Sequence, residues 1–169
     1  MVSATLHELD AWFNEAGLSL DRTNLLSKLA TIELCGWIEE EFDRLIRTAA
    51  SGRIRDADWV ESDVIKNTFG FTYRRHWRTM LCKVAGELFA CRIEDAMNAA
   101  YPTDLEQMTS LLGQLWKDRC SFAHADLNAN KANTQITFNA PSVAIHQHNQ
   151  LAKILARYEA VMSQVLPPP

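Results

Sequence analysis

The sequence predicts an all-α fold: an up-and-down helical bundle around one long central helix, with a short extended segment late in the chain. Three observations carry this. Apolar residues recur at helical spacing in successive stretches that are separated by Gly, Pro and Ser breaks. Those stretches open and close on residues suited to capping helices. With 169 residues, 47% hydrophobic and 22% charged, the chain has the size and composition of one globular domain. Residues 1–166 are read as that domain, and Pro167–Pro169 as a short tail.

Ser3 is placed to cap a first helix with Leu6, Leu9, Trp12 and Phe13 on one side, and Gly17 is suited to stop it. A second start follows at Ser19 or Asp21, and the helix runs to about Ala50, ahead of Ser51 and Gly52. In its first half Leu25, Leu26, Leu29, Ile32, Leu34, Cys35, Trp37 and Ile38 cover nearly every side. That pattern marks a helix surrounded by others, so this stretch is the expected centre of the core. Glu39, Glu40 and Glu41 follow in series, either as a solvated face with one or two ion pairs or with Glu39 or Glu41 turned inward.

From Gly52 to Thr72 polarity rises, with a short helix from Asp56 or Asp58 to Ile65. TYRRHWRTMLCKVAGELFACRIEDAMNAA then reads as one helix of about 26 residues that ends before Pro102. Its apolar positions include Trp77, Leu81, Val84, Leu88, Phe89 and Ile93. Its opening turns hold Arg74, Arg75, His76, Arg78 and Lys83, the densest basic cluster in the chain. Cations at a helix start oppose the helix dipole. Mixed with Tyr73 and Trp77, they form either a salt-bridged helix start or a grip for phosphates and a stacked base, with Arg74, Arg75 and Arg78 as RNA-binding candidates.

Thr103 and Glu106 make a capping box for the next helix. After it, ADLNANKANTQITFNAPS has no helical stripe; QITF is the brief extended piece, and Asn128 and Asn130 order this loop or contact a ligand. Pro141 and Ser142 open the last helix, whose apolar side carries Ile145, Leu151, Ile154, Leu155, Tyr158, Val161 and Met162.

Composition excludes several classes. No apolar run approaches the length of a membrane span, and MVSATLHELDAWF lacks the basic start and apolar core of a signal peptide, so a cytoplasmic protein with no membrane partner is expected. Cys35, Cys82, Cys91 and Cys120 show no CxxC and no metal-ligand spacing with histidine, so no metal and no cofactor is expected. His146 and His148 are two apart on a helix and diverge, which argues against a zinc site. A net charge of −4 speaks against broad nonspecific nucleic-acid binding, yet leaves room for a local basic pocket.

The residues that stand out are in LLGQLWKDRCSFAHAD. On one helix, Leu105, Met108, Leu112, Leu115, Arg119 and Phe122 form a single stripe, which puts a guanidinium in the middle of an apolar face. An always-charged group there needs an acidic neighbour (Glu39 or Glu41), a pocket wall or an anionic ligand. His124 follows five positions later, about 140° away on an ideal helix. The two converge only if the helix ends between them or a second subunit supplies one of the pair.

Arg119-Cys120-Ser121-Phe122-Ala123-His124 resembles the RxxxxH motif of the HEPN superfamily, with Ala123 matching the small residue that often precedes the histidine. The long helix LLSKLATIELCGWIEEEFDRLI and the extended piece after the motif resemble the RiboL-PSP type of that family. The family usually carries a polar residue, most often asparagine, after the arginine, where this chain has Cys120.

The resemblance implies a homodimeric, metal-independent endoribonuclease with the motifs facing each other, a toxic or defensive role, and a restraining antitoxin or regulatory partner. In that chemistry the RNA's own 2′-hydroxyl attacks the adjacent phosphate. His124 would move the proton, and Arg119 would stabilise the developing charge. The alternative from another class is a non-catalytic module that binds RNA, a nucleotide or a partner protein. Two further readings remain: Arg119 and His124 as purely structural residues, and Cys120 with His124 as a nucleophile pair.

Overall fold

The structure is a computed structural model that describes residues 2–124 and 138–166, the side chains of Ala123 and His124 excepted. Every regular element among the described residues is helical. The α-helices are α1 (Val2–Phe13), α2 (Leu20–Ala50), α3 (Ala57–Trp59), α4 (Arg78–Ala85), α5 (Glu87–Ala100), α6 (Asp104–His124) and α7 (Pro141–Val165), with π-helical turns at Val60–Ile65 and Tyr73–Trp77. No described helix is long and apolar enough to cross a membrane.

The chain divides into two compact units: Met1–Trp37 with Gln114–Gln150, and Ile38–Gly113 with Leu151–Pro169. The helices α2, α6 and α7 each lend one stretch to each unit. Capping side chains mark some of the boundaries, and the Ser19 hydroxyl accepts the Arg22 amide at 3.4 Å at the start of α2. The Asp56 side chain accepts the Trp59 amide at 2.9 Å to open α3, and α6 begins at Asp104, directly after Thr103 of the expected capping box. Gly17, at φ 83°, follows α1 in the left-handed region that favours glycine.

In the unit holding Ile38–Gly113 and Leu151–Pro169, the second half of α2 is sunk in the core. Ile38, Phe42, Leu45 and Ile46 are each at most 1% exposed. Phe42 meets Trp77 with ring centroids 4.8 Å apart, and Trp77 meets the edge of Tyr158 at 5.3 Å. Burial pushes the Tyr158 hydroxyl up to about 12 and the Tyr73 hydroxyl higher still. Charges at the margin of this core are paired: Arg44 forks onto Glu159 at 2.8 and 2.9 Å, and Arg157 meets buried Asp104 at 2.8 Å with its guanidinium 4.5 Å from the Tyr101 ring.

The helix expected from Tyr73 to Ala100 is broken. A π-helical turn starts it, and Gly86 at φ 85°, ψ 156° separates α4 from α5. Only glycine adopts that conformation without strain, so the chain turns there. The turn shifts the register of the apolar face: Trp77, Leu81 and Ile93 are buried as expected, whereas Leu88 is 62% exposed.

In the unit holding Met1–Trp37 and Gln114–Gln150, Leu6 and Leu9 of α1 pack inward with Ala30, Leu34 and Cys35 of α2 and Leu115 and Phe122 of α6. The Cys35 thiol lies 4.0 Å from the Leu115 carbonyl, and the Trp37 ring packs against His148, centroids 4.4 Å apart. The first half of α2 departs from the expected all-round burial. Leu25, Leu29 and Ile32 stand 50%, 41% and 41% exposed. Their fourfold and threefold spacing puts them on one stripe, opposite the side that Ala30 and Leu34 bury.

Candidate functional site

The stripe predicted for α6 forms as read. Leu105, Met108, Leu112, Leu115 and Phe122 are all buried, and Arg119 sits half-buried in the same row. Its guanidinium lies over the Trp116 ring, 6.0 Å from the centroid, one turn back on the helix. An aromatic face attracts a cation and supports its planar group from one side. Trp116 is thus a neighbour that the motif alone did not single out, although the i, i+3 spacing contains it.

The helix does not end between Arg119 and His124. It runs unbroken from Asp104 to His124, which removes one of the two routes by which these positions could meet. Five positions on a continuous helix differ by about 140°. The His124 side chain and the whole of Asn128 lie outside the described residues, as does the expected extended segment except Phe138. Phe138 stacks on Phe122, ring centroids 4.9 Å apart and planes 28° from parallel. Cys120 is exposed. Elsewhere on α6, Gln114 donates to Asp118 at 2.9 Å and the Ser121 hydroxyl donates to the Lys117 carbonyl at 2.9 Å.

The acidic series resolves in part. Glu41 bonds Arg44 at 2.9 Å, so the ion-pair reading holds for it rather than an inward turn. Glu40 is exposed and Glu39 half-buried. His76 is buried, and its Nδ1 accepts the Thr72 amide at 3.0 Å. Burial lowers its pKa, with Arg75 pulling the same way and the Glu39 carboxylate opposing.

The basic cluster is largely spoken for. Arg78 donates from Nε to Glu94 at 3.0 Å and from its two terminal nitrogens to the sulfurs of Cys82 and Cys91 at 3.6 and 3.4 Å. Glu94 also accepts the Tyr73 hydroxyl at 2.9 Å, and its bond raises the Arg78 pKa further. Lys83 donates to the Asp63 carbonyl at 2.9 Å. Arg78 and Lys83 are thus held within the fold by Glu94 and by the Asp63 carbonyl of the π-helical turn Val60–Ile65, which linear spacing does not reveal. Arg74 and Arg75 point to the exterior and keep the phosphate-gripping option. Cys82 and Cys91 face this guanidinium, and burial pushes the Cys82 thiol up, against Arg78.

No protein-family model, no curated protein and no solved structure matches the chain. Among the described residues, no group of three or more His, Cys, Asp or Glu side chains is placed to hold a metal ion. The arrangement at the end of α6 offers a cation backed by an aromatic ring, with a histidine one and a half turns further on the same helix.

Proposed function

We propose that the chain is a HEPN-like, metal-independent endoribonuclease whose reacting groups are Arg119 and His124, with each site shared between two copies. One observation carries the shared site: α6 is continuous through both positions, so a histidine facing Arg119 has to come from elsewhere than the same helix turn. The chemistry suits the pair. An imidazole titrates near neutral pH and can take the 2′-hydroxyl proton, and the Arg119 guanidinium, held over Trp116, is a fixed cation for the charge that develops on the phosphate. Arg74 and Arg75 supply exposed positive charge for the RNA backbone.

The test is cleavage of RNA in EDTA by the wild-type chain, by Arg119→Ala and by His124→Ala, followed by the two variants mixed. Wild type should cut, and each variant alone should not. The mixture should regain activity, because a mixed pair contains one intact arginine–histidine site. Equal cleavage by wild type and His124→Ala overturns the catalytic assignment, and a mixture that stays silent overturns the shared site.

One observation favours a second reading, a non-catalytic HEPN-like module that binds RNA, a nucleotide or a partner protein. Cys120 is exposed beside Arg119, at the position where the resembling family carries a polar residue. A thiol is a weak hydrogen-bond donor. Under this reading ligand binding depends on Arg119 without turnover, and Cys120→Asn is the variant that gains cleavage.

A further inference from the structure

The first half of α2 presents an apolar ridge, Leu25, Leu29 and Ile32, each 41–50% exposed. The ridge continues to Gly36, where an added Cβ would meet nothing within 4 Å. At its other end it opens on a groove of about 480 Å³ lined by Trp12, Glu15, Leu18, Arg22, Leu25 and Leu26, with Trp12 itself 45% exposed. A contiguous apolar surface of this kind on a folded chain marks an interaction site.

We propose that this ridge is the docking surface for a second copy of the chain, with the two α2 helices lying side by side and parallel along it. The spacing and the charges both point there. Steps of four, three and four from Leu25 through Leu29 and Ile32 to Gly36 are the alternation of the seam positions in paired helices. Lys28 and Glu33, both half-exposed, border this seam on opposite sides and five residues apart.

In a parallel pair those two border positions face each other across the seam, so Lys28 of each copy meets Glu33 of the other and the attraction is made twice. An antiparallel pair that sets Leu25 against Ile32 instead brings Lys28 opposite Lys28. The surface is therefore complementary to itself in one direction and self-repelling in the other. Gly36, lacking a side chain in the seam, lets the two backbones draw close at that end.

This surface supplies the second copy on which the shared-site reading rests, and the two stand or fall by different readouts. The mass of the full chain in solution is measured by light scattering and sedimentation without RNA. Wild type should be a dimer at micromolar concentration and Leu29→Glu a monomer with an unchanged helical circular-dichroism spectrum.

Lys28→Glu and Glu33→Lys should each weaken the dimer about tenfold, the loss of two attractions and the gain of two repulsions. The double variant Lys28→Glu/Glu33→Lys should return to the wild-type constant. A monomeric wild type, or a Leu29→Glu chain that stays dimeric, overturns the surface. Single swaps that tighten the dimer, or a double swap that does not restore it, overturn the parallel arrangement. A dimer through this ridge that never cleaves RNA supports the surface while counting against the nuclease reading; cleavage by dimeric Leu29→Glu does the reverse.

Discussion

The two halves of α2 have nearly the same apolar content and opposite fates. From Ile38 to Ala49 the helix buries Ile38, Phe42, Leu45, Ile46 and Ala49 within one unit, and its arginines are tied down, Arg44 to Glu159 and Glu41, Arg47 to Glu61. From Leu25 to Ile32 it buries Ser27, Ala30 and Thr31, whereas Leu25, Leu29 and Ile32 face outward. Burying a Leu or Ile side chain stabilises a fold by about 1.5–3 kcal/mol. Under the proposed docking surface, the large residues that this stretch displays find their burial against a second chain. Among the cations, Arg78 and Lys83 meet Glu94 and the Asp63 carbonyl within the unit that contains them, and Arg119 lies over the Trp116 ring.

The sharpest way to break this contrast is truncation in the buried half. Leu45→Ala removes a fully buried side chain next to Phe42 and Ile46 and should destabilise the chain by about 2–5 kcal/mol, through lost transfer energy and the cavity left behind. Urea titration followed by circular dichroism measures it. A loss under about 1 kcal/mol would show that this half is no better packed than the other.

A smaller effect separates the halves by charge. Arg44 holds Glu159, and that bond lowers the glutamate's pKa from its ordinary value of 4.5. A carboxyl whose pKa is depressed on folding stabilises the native state above the unfolded value, and the contribution is lost as pH falls through the folded value. Arg44→Gln should therefore cost on the order of 1 kcal/mol at pH 7, at the upper end for partly exposed pairs because two carboxylates share the guanidinium. The gap between variant and wild type should close as pH drops below 4.5 and Glu159 takes up its proton. Unfolding curves of both proteins at stepwise lower pH check the sign, and a gap that widens toward acid would contradict it.

Much of this architecture is legible in the residues because local rules decide it. Ser19, Asp56 and Thr103 near the expected starts, Gly17 and Pro102 beyond the stops, and the stripe from Leu105 to Phe122 all act over a turn or two, whereas α1 begins at Val2 and already contains Ser3, the residue expected to cap it. Gly86 shows the limit. Inside TYRRHWRTMLCKVAGELFACRIEDAMNAA it reads as a tolerated helical glycine, and only the packing of α4 against α5 makes it a turn at positive φ. Arg78 shows another, since Glu94, its partner 16 residues on, comes into reach only through that turn. Periodicity also cannot say which of two apolar stripes a helix keeps for itself. Leu25, Leu29 and Ile32 are as hydrophobic as Leu34 and Ile38, and the direction of the neighbouring helices decides between them. At the candidate site, the place of Arg119 on an apolar row is legible, and Trp116 beneath it follows from helical spacing once the helix is known to be continuous.

The smallest expected change is also the most discriminating. Leu29 is a large aliphatic residue in mid-helix, and composition alone would rank Leu29→Gln with Leu45→Ala. At 41% exposure, much of the side chain's transfer energy is never gained in the isolated chain. Glutamine has nearly the same helix propensity as leucine, so the backbone gives up little. The folding stability of a dilute sample should then change by no more than about 0.5 kcal/mol, the range of ordinary surface substitutions. Stability that rises with protein concentration in the wild type, and does not in Leu29→Gln, would place the missing burial in a second chain, because association adds to apparent stability by mass action. A loss of several kcal/mol at every concentration would instead mean that the ridge is part of the monomer's own core, and the contrast between the halves of α2 would vanish.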